Sequence, residues 1–408
     1  MPTATHSIRH DVCPIVASPA VPAPARRLRI GVACHASDRG RSGIGQYLLN
    51  VVRRLPLVAP QHEYVLFAPA QDARLWAGLP PNTRLVIQDD ALERPWRSMA
   101  WHLLGLRRDL AAQNCDAIFL PAGNRRLGMA YGMPSVATVH DLSQLHVSGK
   151  YDAWRMFHAK RLLPALMRRQ DRVICVSEST RRDVLEHAGV SPACASVIHN
   201  GADLERFHSV RPGLKARLAR RFGLYGQYIL YVARLEHPGK NHVRLLQAFA
   251  RLAQRDGFCH RLVLCGPDWS GSEAIHECVR RLGLESRVLT TGFVTSEELP
   301  DLYRGADLFV FPSLYEGFGI PLVEAMAAGL PACVADCSSL PEVAGDAALL
   351  FDPLDADSIA RSIERVLSDT ELKARLIARG RIRAAEFDWD RCSRAVAGCI
   401  EETCAART

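Results

Sequence analysis

Two glutamates, Glu316 and Glu324, stand eight residues apart in Ser313-Leu-Tyr-Glu-Gly-Phe-Gly-Ile-Pro-Leu-Val-Glu-Ala-Met-Ala-Ala-Gly329. Ionised carboxylates only accept hydrogen bonds, so hydroxyl groups are their natural ligands. Gly317, Phe318 and Gly319 lie between them, and glycine lets a ligand approach the backbone closely. Pro321 marks the opening of a helix, where a missing N–H costs nothing. A helix start offers free amides and a positive dipole end to an anion. Phosphate at the helix end with sugar hydroxyls on the glutamates describes a site for a nucleotide sugar. A glutamate in a first helical turn is also common as a surface residue that complements the dipole, so the whole constellation carries this reading.

Further candidates follow other apolar runs. Arg234 and Lys240 come just after Tyr228-Ile-Leu-Tyr-Val-Ala233, and a planar guanidinium fork beside a compact ammonium suits a diphosphate. His140-Asp141 follows Ser135-Val-Ala-Thr-Val139, with Asp141 either orienting the imidazole or capping the next turn. Gly43 and Gly45 lie in a glycine loop after the first apolar run. The spacing is not that of a dinucleotide fingerprint, and no acid closes the second run, so that fold of cofactor site is excluded. Asp355 and Asp357 have the spacing of a metal pair, yet they open a helix and read as capping.

The elements that must position these residues alternate regularly. Strands are predicted at 28–34, 63–68, 84–88, 116–120, 135–139, 172–176, 196–199, 228–233, 261–265, 287–290, 307–311 and 332–335. Helices are predicted near 43–57, 96–111, 152–169, 178–188, 242–255, 321–329, 355–367, 369–385 and 388–404. This rhythm predicts α/β architecture with doubly wound parallel sheets, whose ligands sit beyond the carboxyl ends of the strands. A polar stretch at 206–226 divides the chain as a linker between domains at 27–205 and 227–386.

The 408 residues are enough for two ordinary cores, and 48% hydrophobic with 23% charged residues is a globular composition. No run approaches the length of apolar sequence a membrane span needs. A net charge of +8 suits a phosphate-bearing substrate, an anionic membrane surface or ordinary solvated surface. Nucleic acid is not an expected partner, because the basic residues are dispersed and no binding motif occurs. The 13 cysteines, Cys34, Cys175, Cys265, Cys333 and Cys337 among them, show no Cys-x-x-Cys pair; reduced thiols of a cytoplasmic protein are expected. Residues 1–26 are Pro/Ala-rich and broken by Pro14, Pro19, Pro22 and Pro24, which reads as a disordered leader and not a signal peptide. Arg94–Arg108, with Trp96 and Trp101, and Trp154–Arg169 mix arginines with apolar stripes. Such helices suit peripheral contact with an anionic membrane, or equally pack on a sheet with their arginines in water.

From about Leu28 onward the chain resembles the retaining family 4 glycosyltransferases. The resemblance is carried by the Glu316–Glu324 stretch, by Ser339-Leu-Pro-Glu-Val-Ala-Gly345 through Pro353, and by Tyr231-Val-Ala-Arg-Leu-Glu-His-Pro-Gly-Lys-Asn241. It implies the GT-B fold: two Rossmann-like domains facing across a cleft, acceptor side first, with a last helix at 387–408 crossing back. It further implies a nucleotide-sugar donor, no cofactor and no metal. By resemblance Arg234 and Lys240 serve the leaving diphosphate, Glu316 the donor sugar and Glu324 the ribose. Backbone groups at Phe293 and Val294 meet the base, and His140 meets the sugar from the opposite domain. Gly43 and Gly45 face the donor phosphates or the acceptor. The stretch Ser42–Tyr47 is similar to mannosyl and related transferases of bacterial surface polysaccharides. GDP-mannose is therefore the first expected donor, UDP-sugars the next, and a lipid-linked or oligosaccharide acceptor the partner. A nucleotide-sugar epimerase on the same fold and a non-catalytic nucleotide-sugar-binding protein are the alternatives.

Overall fold

In the computed structural model residues 26–147, 156–209 and 212–407 are described. The Pro/Ala-rich opening and the start of the second basic helix, with Trp154, lie outside them. Strands β1 (Arg29–Ala33), β2 (Glu63–Pro69), β3 (Thr83–Gln88), β4 (Ala117–Leu120), β5 (Ser135–Val139), β6 (Arg172–Cys175) and β7 (Ala195–Val197) form a seven-stranded sheet in the order β3-β2-β1-β4-β5-β6-β7. Strands β8 (Tyr228–Val232), β9 (Arg261–Cys265), β10 (Val288–Thr290), β11 (Leu308–Phe311), β12 (Ala332–Ala335) and β13 (Ala348–Phe351) form a second sheet in the order β10-β9-β8-β11-β12-β13. Every pairing is parallel. Runs such as Ala-Ile-Phe-Leu in β4 and Leu-Phe-Val-Phe in β11 are buried throughout, as strands covered by helices on both faces must be.

Strand order reverses between β1 and β4 in one sheet and between β8 and β11 in the other. At such a switch point the following loops diverge and leave a crevice at the carboxyl edge. The two crevices face each other.

The helix Gly43–Val58 starts where Ser42 Oγ accepts from the Gly45 amide at 3.1 Å. It packs beside the last helix, Trp389–Ala405, whose Trp389, Cys392, Val396 and Ile400 complete the core of the first body. The chain thus crosses between bodies twice, and the crossings touch. Ala202 bridges Asp388 in parallel, with its amide donating to the Phe387 carbonyl at 3.0 Å.

Several expectations need correction. Residues 206–226 are not a free linker: helices Leu204–His208 and Leu214–Phe222 occupy much of it, and Phe207, Leu218 and Leu224 are buried in the second body's core. The crossing itself is shorter and lies near Asn200–Asp203. Strand β13 and helices Ser272–Arg281, Leu299–Gly305 and Leu340–Ala344 were not expected. Trp101 does not face outward: its indole N–H donates to Asp109 at 2.7 Å and its ring joins the core. Trp96 and Leu104 do stay exposed. Among the described residues no helix is long and apolar enough to cross a membrane, and the described cysteines are free thiols.

Candidate active site between the two sheets

The loops beyond the strand ends enclose a cleft of ≈ 350 Å³. From the first body come Arg41 to Ile44 after β1, Arg125 after β4 and His140 after β5. The second body contributes Arg234 and Lys240 after β8, Phe293 and Val294 after β10, and Glu316 through Pro321 after β11. Residues as far apart in sequence as Arg41 and Pro321 therefore meet at one hollow.

The cationic side is built from the β8 loop. Lys240 Nζ lies 2.7 Å from Glu316 Oε1, with the two side chains 19% and 15% exposed. Their loops are stitched together. The Leu314 amide donates to the Gly239 carbonyl at 3.0 Å, and Asn241 Nδ2 donates to the Pro312 carbonyl at 2.9 Å. Asn241 holds this position in left-handed conformation, φ 58°, which Asn tolerates. The buried Tyr231 hydroxyl donates to the Lys240 carbonyl at 2.8 Å. Arg234 is steadied differently. Its guanidinium lies over Trp269, 4.7 Å from the ring centroid, and 3.4 Å from the buried carboxylate of Glu236.

The glycine loop is held from beneath. The Ser338 hydroxyl accepts from the Glu316 amide at 3.0 Å, and Ser339 Oγ donates to the carbonyls of Glu316 and Phe318 at 2.9 and 3.0 Å. Gly319, at φ 101°, turns the chain into helix Ile320–Ala327, whose N-terminal residues line the cleft.

At Gly317 the two bodies meet backbone to backbone. A Cβ there would stand 1.7 Å from the His140 carbonyl oxygen. The Gly317 carbonyl in turn accepts from Ser177 Oγ at 2.7 Å and Thr180 Oγ1 at 3.2 Å. A second contact lies alongside. The Glu342 carboxylate caps the first-body helix Glu178–Asp183, accepting from the amides of Glu178 and Ser179 at 2.9 and 3.2 Å, and pairs with His199 at 2.7 Å. Burial alone would raise the Glu342 carboxyl, but His199 and those amides outweigh it and hold it below the usual range.

His140 is buried, and its Nε2–H donates to the Pro121 carbonyl at 2.7 Å. Burial lowers it to about 4, so the ring is neutral at pH 7 and Nδ1 is its acceptor. Asp141 does not orient this ring; it caps the next turn, accepting from the Ser143 amide and hydroxyl. Asp355 likewise caps its helix, accepting from the Asp357 amide.

Two proposed site residues fall elsewhere. Gly43 lines the cleft, but Gly45 does not; a Cβ on Gly45 would lie 2.1 Å from the Ser37 carbonyl, so it serves close backbone packing. Glu324 is not in the first helical turn, which contains no acid. It does not line the cleft; it lies partly buried three residues beyond the cleft-lining Pro321, accepting from the Tyr303 hydroxyl at 2.8 Å. Burial lifts its carboxyl to about 7 against the pull of Tyr303 and Arg206. Between pH ~4.5 and 7 the folded chain keeps a proton that the unfolded chain has released, so stability falls as pH rises, by about 3 kcal/mol. Glu324→Gln is expected to flatten that fall in thermal unfolding followed from pH 5 to 8. An unchanged slope would contradict the raised carboxyl.

Arg41 and Arg125 also line the cleft, and residue order alone does not single them out. Arg125 pairs with Asp38 at 2.7 Å, and Arg41 reaches across to the Phe293 ring at 5.7 Å. Arg125 follows β4, so the strand-end rule applied to β5 covers it too.

Two doubly wound parallel sheets with cations and carboxylates converging between them define the GT-B class of glycosyltransferase architecture. Residues 221–383 match the family of Glycosyl transferases group 1 and residues 41–206 match Glycosyltransferase Family 4. Over 371 residues the chain is 30% identical to O-antigen chain mannosyltransferase B of Escherichia coli, covering 86% of this chain and 94% of that one. Among solved structures, Anabaena HepE in complex with UDP and glucose superposes with a TM-score of 0.72 at 22% identity, over 92% of this chain and 100% of that one. WaaG, a glycosyltransferase involved in lipopolysaccharide biosynthesis, gives 0.67 at 17% identity over 91% and 99%. The chain belongs to the family 4 glycosyltransferases.

Proposed function

We propose that this glycosyltransferase moves a hexose from a nucleotide-sugar donor to an acceptor hydroxyl with retention of anomeric configuration. GDP-mannose is the first donor to test and UDP-sugars the next. The acceptor is a lipid-linked or oligosaccharide chain of surface polysaccharide synthesis. The similarity to an O-antigen chain mannosyltransferase supports the mannosyl choice. The observation that carries the chemistry is the Lys240–Glu316 pair at 2.7 Å beside Arg234 in the cleft.

An ammonium has three donors, so Lys240 can keep Glu316 while gripping phosphate. With Arg234 it stabilises charge developing on the diphosphate as the anomeric C–O bond breaks. Glu316 holds donor hydroxyls, and neutral His140 accepts one from the opposite body. The acceptor oxygen bonds to the anomeric carbon on the face the diphosphate leaves, and its proton passes to a departing phosphate oxygen. None of these steps calls on a metal or cofactor. Glu324, three residues beyond the cleft-lining Pro321, is the proposed ribose partner. Incubation with GDP-mannose should consume donor only when acceptor is present and give an α-linked product. Donor consumed without acceptor would mark the epimerase; tight binding without turnover would mark a silent binding protein.

The first body also presents Trp96 and Leu104 to solvent, with half-buried Arg97 stacked over the Trp96 ring at 5.0 Å. Aromatic and basic groups together suit an anionic bilayer surface. Salt-sensitive co-sedimentation with anionic liposomes is expected to exceed that with neutral ones several-fold, and equal binding to both would remove membrane contact from the account.

A further inference from the structure

Away from the cleft, on the rim where the bodies touch, three side chains from two segments of the chain converge. We propose that His146, Asp183 and His187 form a binding site for a divalent transition-metal cation of the zinc class. Their ligand atoms all lie within 4.8 Å of one another, and none of the three lines the cleft.

The donor set has the right chemistry. Two imidazoles and one carboxylate suit zinc and its neighbours, with three protein ligands and a water completing a tetrahedron. Asp183 and His187 are four residues apart on one helical segment, Glu178–Ala188, whose last turn is π-helical, and so share a face. His146 comes from the turn Ser143–His146. Its Nε2 already stands 2.9 Å from Asp183 Oδ2. Tetrahedral ligands at zinc distances lie about 3.3 Å apart, so this pair needs to part by only a few tenths of an ångström. The exposed His187, whose ring centre is 5.6 Å from that of His146, can close the remainder by side-chain rotation.

The outer shell is present as well. Tyr315, next to Glu316 in the second body, donates its hydroxyl to Asp183 Oδ2 and stacks on His146 at 4.6 Å with an interplanar angle of 11°. A hydrogen-bonded carboxylate and a packed imidazole are what orient metal ligands. A bound cation would stiffen the contact that sets one body against the other, without taking part in transfer.

The test is zinc uptake by the tag-free chain in competition with a chromophoric chelator, with circular dichroism verifying the fold of each variant. Wild type should bind one equivalent more than His146→Ala/His187→Ala, and His187→Ala alone should weaken binding at least tenfold. Tyr315→Phe should weaken it about tenfold, the cost of losing an outer partner. His276, which pairs with Asp268 at 2.8 Å but has no third ligand beside it among the described residues, supplies the control: His276→Ala should leave uptake unchanged. Equal uptake by wild type and the double variant, or no uptake by folded wild type at ten micromolar zinc, would overturn the proposal.

Discussion

A Gly317→Ala chain is expected to keep both folded bodies and to lose transfer by about 10²-fold or more, the scale on which an ångström of misplacement acts. The added methyl would stand 1.7 Å from the His140 carbonyl oxygen, 2.8 Å from its carbon and 3.1 Å from Asp141 Cβ. All of these belong to the opposite body, and two of the three are backbone-fixed. The bodies must therefore separate, carrying His140 away from Glu316. Nucleoside diphosphate binding, which depends on Arg234 and Lys240 of the second body, should change only a few-fold. At Gly43 a Cβ meets nothing within 4 Å, so Gly43→Ala should cost far less. Comparing kcat/KM and diphosphate affinity for the two variants checks this; near-normal turnover by Gly317→Ala would mean that catalysis does not need the observed approach.

Glu316→Gln should reduce turnover by a comparable factor, at least about 10²-fold, for an electrostatic reason. The amide keeps the shape and can still accept from Lys240, so unfolding is not expected. It cannot offer two anionic acceptors to sugar hydroxyls or balance Lys240 as the diphosphate charge grows. The loss should fall mainly on kcat, with thermal stability close to wild type. Turnover within threefold of wild type would remove Glu316 from its proposed place.

Much of this was legible from residue order because parallel strands buried on both faces leave uninterrupted apolar runs. Tyr228–Ala233 and Asp307–Pro312 each deliver their loop residues to the cleft, and the strand-end rule located Arg234, Lys240, Glu316 and His140. Strand β13, Ala-Leu-Leu-Phe, lies at the edge of its sheet with both leucines only half-buried, a setting that residue order does not show. Glycine identity does not reveal what comes close: Gly317 meets the other body and Gly45 meets its own loop. Contacts such as Glu342 with the Glu178 amide and Tyr315 with Asp183 span 164 and 132 residues. Nothing local marks them. The segment 206–226 is polar in sequence because its short helices bury one side chain each, Phe207 and Leu218.

The central claim is that fixed positive charge in the cleft grips the pyrophosphate of an activated sugar. Calorimetric titration of nucleoside diphosphates, GDP first, into wild type and Lys240→Ala addresses it without needing the acceptor. The account predicts one site per chain in wild type and at least tenfold weaker binding in the variant, consistent with a charge-assisted contact. Equal affinity in both chains would contradict it.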